Sequence, residues 1–181
     1  MSSIVISGDT SGAITLAAPA VAGTNTITLP ASTGTVLTTG SPQSGGVIQV
    51  VNATYSSGAS NSTNTYADTG LTASITPKFS TSKVLVIVEQ AGIQKSTSDT
   101  YANLKLQRNG SDLIAFSNGT GYNGTIVSNY VGNSGATYLD SPATTSSTTY
   151  KTVFNSGNNN ASVTCQANGS VSTITLMEIA V

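Results

Sequence analysis

From Val47 to the last residue the chain is a succession of short apolar or alternating segments, each closed by turn residues. They are "VIQVV", "LTASITP", "KVLVIVEQAGI", "ANLKLQR", "DLIAFS", "TIVSNYV", "TYKTVFN", "SVTCQA" and "STITLMEIAV". β-Branched residues dominate them and long helix formers are few, so the pattern predicts an all-β chain. Many short strands at regular spacing specify a sandwich or barrel. Asn109-Gly110, between "LKLQR" and "SDLIAF", predicts a type I′ hairpin, whose two central residues both need positive φ. Val84, Val86 and Val88 fall on one face of their strand, and Leu85 and Ile87 on the other. Apolar residues on both faces mark a central strand, or one packed on a partner subunit. Tyr150, Thr152 and Phe154 share a face. The C-terminal "TITLMEIAV" is apolar to its end and is expected inside a sheet. The single cysteine, Cys165, has no partner for an internal disulfide and reads as a small core residue.

The region before Val47 is different. Residues 1–39 read as an N-terminal β-repeat arm, residues 40–46 ("GSPQSGG") as a linker, and 47–181 as the sandwich. Within the arm, Ile14-Thr15-Leu16 recurs as Ile27-Thr28-Leu29, and each triplet is followed by small residues and a proline, Pro19 or Pro30. "TGTVLTT" adds a further short strand with Val36 and Leu37. Such units bury almost nothing on one chain and gain stability by stacking on neighbours. Ile14, Leu16, Ile27, Leu29, Val36 and Leu37 are therefore the expected anchoring and trimerisation residues.

Charge decides what this surface can do. Only 7% of residues are charged and the net charge is −1, against about 25% charged residues in ordinary soluble domains. No basic field exists to hold nucleic acid or an anionic membrane. No apolar run is long enough to insert in a bilayer, and the first basic residue is Lys78, so neither export nor organelle import is expected. The absence of histidine removes Ser-His-Asp and Cys-His arrangements. "GNSGA" has Ala136 where a nucleophile elbow needs glycine. Gly119, Gly121 and Gly124 match a dinucleotide fingerprint, but a strand pattern follows where a helix is required. No catalytic, cofactor-binding or metal-binding residue is expected. Glu89 and Glu178 read as solvent-facing positions on alternating strands, or as contacts with Lys83, Lys151 or Arg108 across a subunit boundary. "SNGTGYNGT" places Asn118, Tyr122 and Asn123 in a polar loop of the kind that recognises sugars and protein surfaces.

Three segments carry a resemblance. "SGAITLAAPAVAGTNTITLPASTGTVLTT" closely resembles a segment of many tailed-bacteriophage virion proteins, especially of marine phages. "YLDSPATTSSTTYKTVF" and "STITLMEIAV" are similar to the C-terminal domain of a group of phage structural and fibre proteins. The resemblance implies a homotrimeric, non-enzymatic virion protein with a jelly-roll-like antiparallel β-sandwich after an extended N-terminal β arm. It would be made in the host cytoplasm and sit on the particle surface. Its expected partners are itself, the major capsid protein or other virion proteins, and a host-surface glycan. A capsid decoration, cement or head-fibre role and a short tail fibre or fibre tip both fit.

Overall fold

The computed structural model describes residues 3–7, 10–17, 20–21, 23–24, 26, 40, 42–125, 129–158 and 160–181. The chain divides into two compact units, Met1–Val36 and Leu37–Val181. In the first, β1 (Ser3–Ser7) and β2 (Ala13–Ala17) pair as an antiparallel hairpin. The second is built from β3 (Val47–Tyr55), β4 (Ala59–Asn61), β5 (Ala67–Ile75), β6 (Lys83–Lys95), β7 (Thr100–Arg108), β8 (Ser111–Thr120), β9 (Asn129–Asp140), β10 (Thr148–Asn158), β11 (Val163–Cys165) and β12 (Ser172–Ile179). A 3-10 turn at Ala167–Gly169 is its one helical element among the described residues.

Two antiparallel sheets face each other. One runs β3-β12-β6-β9 and the other β5-β10-β7-β8. The pairing of the eight long strands is nested: β3 with β12, β5 with β10, β6 with β9, β7 with β8. A hairpin folded over on itself in this way is the jelly-roll topology. The short strands β4 and β11 extend the first sheet, with β11 lying on the same edge of β6 as β12 but further along it.

β6 explains the layout. Val84, Val86 and Val88 are fully or nearly fully buried, whereas Ile87 and Glu89 are exposed on the outer face. β6 is hydrogen-bonded on both edges, as the apolar pattern on both of its faces predicts. At Ala91-Gly92 the pairing with β9 shifts by one residue, and Ile93 takes over as the inward side chain. Gly92 has φ +61, and a Cβ there would meet the Ala167 nitrogen at 2.7 Å. Only glycine allows both the bulge and the close approach of the 3-10 turn.

The core has two apolar ends. Leu71, Ile75, Leu106, Tyr150, Ile174 and Leu176 join the three valines of β6 at one end. Ile93, Leu104, Phe154, Val163 and Cys165 form the other. Burial pushes the Cys165 thiol up to about 12, so it is an unreactive core group. Between the two ends lies a layer of five polar side chains, Thr69, Gln90, Thr152, Gln166 and Ser172, all at 0% exposure. The Leu71 N–H donates to Thr69 Oγ1 at 3.1 Å, and the Thr69 and Thr152 hydroxyls are hydrogen-bonded at 2.5 Å. Thr152 Oγ1 donates to Gln90 Oε1 at 2.8 Å. Gln90 Nε2 and the Ala91 N–H donate to Ser172 Oγ at 3.0 and 2.9 Å. The Gln166 amide completes the layer with its nitrogen facing the carbonyls of Cys165 (3.1 Å) and Thr69 (3.2 Å). Its oxygen then accepts from Ser172 Oγ and Gln90 Nε2.

Several expectations change in detail. Of "TIVSNYV", residues 126–128 lie outside the described residues, while Asn129–Val131 belong to a strand that runs on through the glycine-rich "GNSGATYLD" to Asp140; the three-residue β4 is an addition. "GNSGA" is strand, not a strand-to-helix elbow. Glu178 does not face solvent: it follows Ile174 and Leu176 on the inward face of β12 and is fully buried. Burial opposes its charge, but hydrogen bonds from Gln49 Nε2 (2.6 Å) and the Lys78 (2.8 Å) and Phe79 (3.3 Å) N–H groups outweigh that. They hold its carboxyl below the ordinary 4.5.

Two consequences can be measured. Asn109 (φ 48) and Gly110 (φ 84) form the predicted I′ turn, and although a Cβ at Gly110 meets nothing, a β-branched residue resists positive φ. Gly110→Val should cost about 1–3 kcal/mol in chemical denaturation; an unchanged midpoint would mean the turn tolerates the strain. Because the folded-state pKa of Glu178 is lowered, its contribution is fully present above pH 4.5 and lost as pH falls from there. Below that pH the wild type should therefore lose stability more steeply than Glu178→Gln, measured by thermal melting against pH.

Candidate assembly surface

The hairpin register gathers the apolar side chains of β1 and β2 on one face. Ile4 stands opposite Leu16 and Ile6 opposite Ile14, so these four side chains share one face, with Val5 and Thr15 on the other. The four are 56–67% exposed. Full burial of a Leu or Ile side chain is worth about 1.5–3 kcal/mol, and here most of that stabilisation is unused. An isolated two-stranded hairpin is marginal in water, so whatever covers this face decides whether it persists.

Of the expected anchoring residues, Ile14 and Leu16 are thus brought together on the apolar face. Ile27, Leu29, Val36 and Leu37 lie outside the described residues. The cross-strand partners Ile4 and Ile6 were not singled out in the sequence reading. Their signal is the alternating "SIVIS" just ahead of Gly8-Asp9.

The expected recognition loop sits at one end of the sandwich. Asn118 is exposed near the end of β8. Tyr122 is exposed, packs edge-on against Tyr101 with centroids 5.8 Å apart, and donates its hydroxyl to Asp99 Oδ1 at 3.1 Å. That carboxylate raises the Tyr122 pKa above the ordinary tyrosine value. Asn123 Oδ1 accepts from the Thr125 N–H (2.7 Å) and hydroxyl (3.0 Å), and its backbone carbonyl accepts from Nζ of the buried Lys95 at 3.1 Å. The Asn123 amide oxygen therefore fixes the turn, while the ring edge of Tyr122 and the Asn118 amide face outward.

Most remaining charge is tied up within the sandwich. Asp140, 5% exposed, accepts from Arg108 at 2.8 and 2.9 Å and from the buried Tyr150 hydroxyl at 2.6 Å. Burial first, and this carboxylate second, push the Tyr150 pKa far up. Lys105 pairs with Asp112 and Lys151 with Asp68, both at 2.6 Å on the surface. No group of three or more metal-ligating side chains occurs among the described residues. No helix among them is long and apolar enough to cross a membrane.

No protein family matches the chain, and no curated protein matches it. Among solved structures, the crystal structure of the infectious bursal disease virus VP2 subviral particle aligns with a TM-score of 0.47 at 12% identity. The alignment covers 73% of this chain and 32% of that one. The chain thus spans about a third of the length of that neighbour.

The hairpin face makes a specific prediction. Ile14→Asp or Leu16→Asp should leave the melting temperature of the sandwich unchanged, because its core is separate, and should abolish association through the arm, read by sedimentation. Unaltered association would show that this face is not used.

Proposed function

We propose that this protein is a non-enzymatic structural component of a virus particle, of the tailed-phage kind its sequence segments resemble, acting as a decoration or cement protein on the particle surface. The observation that carries this reading is the hairpin face of Ile4, Ile6, Ile14 and Leu16: a charge-free apolar surface, marginal alone, on a sandwich that needs no help from it. Three arms wound together, or an arm laid on the capsid, would give that face its cover, so a homotrimer bound to the major capsid protein is the expected assembly. The scarcity of charge fits a surface made for packing rather than for turnover.

A second reading is a short tail fibre or fibre tip. It is favoured by the exposed Tyr122 and the exposed Asn118 four residues before it, an aromatic edge and an amide of the sort that stacks on and hydrogen-bonds to a glycan.

The experiment separates the two. Apolar burial does not weaken with ionic strength, whereas at 1 M salt the screening length is about 3 Å. Particles washed in molar salt should keep the protein, and particles lacking it should burst at lower temperature. Release by salt alone would contradict attachment by the apolar arm. Intact particles that fail to adsorb to cells would favour the fibre reading.

A further inference from the structure

The outer face of the first sheet carries a second unpartnered surface. Pairing aligns Val50, Met177, Leu85 and Leu139 in a row across β3, β12, β6 and β9. Ile87 stands next to this row on β6. Val50, Ile87 and Leu139 are 38–55% exposed. A contiguous apolar row on the solvent side of an antiparallel sheet marks a contact surface.

The charges on this face identify what covers it. Along β6 the outward side chains read Lys83, Leu85, Ile87, Glu89, and they and the outward residues paired with them contain no other charge. Lys83 Nζ reaches only Ser141 Oγ, at 2.8 Å. Glu89 is, among the described residues, the one side-chain carboxylate without an ion-pair or hydrogen-bond partner; it lies over Gly135, where a Cβ would meet Oε2 at 2.8 Å. The two charges are therefore opposite, unpaired within the chain and about 20 Å apart on one strand.

We infer that a second copy of this chain docks face to face on this row, related by a two-fold axis across the strands at the middle of the β6 ladder. In that arrangement Lys83 of each copy meets Glu89 of the other, and Leu85 lies over Ile87. Sheets stacked face to face are about 10 Å apart, a gap that Lys and Glu side chains span together. A parallel stack of β6 on β6 would set lysine on lysine and glutamate on glutamate. A sideways displacement would cover both charges with uncharged neighbours, which is costly. Only the antiparallel two-fold contact satisfies the whole ladder, and such a contact is self-complementary by symmetry. This contact stands on the sandwich alone and is independent of the virion reading and of the arm.

The test is a charge exchange read by sedimentation velocity of the full chain over a range of concentrations. The wild type should convert to a species of twice the mass of the unit that the variants retain. Lys83→Glu and Glu89→Lys should each raise the concentration for half-conversion at least tenfold, a tenfold change being about 1.4 kcal/mol. An equimolar mixture of the two variants should restore doubling, because an all-acidic ladder then meets an all-basic one. That rescue also shows that both variants are folded. Absence of doubling in the wild type, single variants that double normally, or a mixture that stays undoubled would each overturn the inference.

Discussion

The hydrogen-bonded layer of Thr69, Thr152, Gln90, Ser172 and Gln166 is the constraint around which the sandwich is arranged. These five side chains are wholly buried, and each buried amide or hydroxyl left unpaired would cost about 1–3 kcal/mol. The layer therefore accepts one alignment of the two sheets. A one-residue slip of β6 would carry Gln90 to the outer face and leave the Thr152 hydroxyl and Ser172 without their partner. The layer also sits where the edge of β6 passes from β12 to β11, so the bulge at Gly92 and the left-handed Gln166 belong to the same device. Either side of it lie the two apolar clusters, with Glu178 and the Asp140–Tyr150 pair as further buried polar groups.

What the layer holds together is a self-sufficient sandwich, and the surfaces left over are then informative. The hairpin face and the outer row of the first sheet are both apolar, and neither is needed for the sandwich core. Three ion pairs, Lys105–Asp112, Arg108–Asp140 and Lys151–Asp68, are closed within the chain. Exposed ones such as Lys105–Asp112 add little stability, while Arg108–Asp140–Tyr150 ties β7, β9 and β10 together. Surfaces this poor in charge associate by burial of area, and a few charges are enough to set orientation.

The all-β sandwich was legible because strand periodicity is a local signal, whereas the jelly-roll order of its strands was an expectation of the resemblance alone. Val84, Val86 and Val88 announce the core face, and Asn109-Gly110 announces its turn. The parity of Ile174, Leu176 and Glu178 was equally visible, yet Glu178 reads as exposed until Gln49 and the backbone of Lys78 and Phe79 converge on it from distant positions. Gln90 and Gln166 were illegible for the same reason, since their partners come from other strands. Glycine-rich β9 hid its strand because Gly132 and Gly135 lack the β-branched signature. For the arm, Ile14 and Leu16 stood out through the repeat with Ile27 and Leu29, whereas the partners the structure gives them, Ile4 and Ile6, share no repeat with them. Composition placed Tyr122 and Asn123 in a loop, and Asn118 with them, although Asn118 belongs to the end of β8; the clamp of Asp99 on Tyr122 depends on folding.

The claim at the centre of this account is that the β1–β2 hairpin takes its cover from another chain. Amide hydrogen exchange measures it directly, residue by residue, in dilute dissociated chain and in the assembled state. The account predicts that residues 3–7 and 13–17 exchange nearly as fast as unstructured peptide when dissociated and become strongly protected on assembly, while β6 and β12 are slow in both. Hairpin amides as protected as those of β6 in the dissociated chain would contradict it.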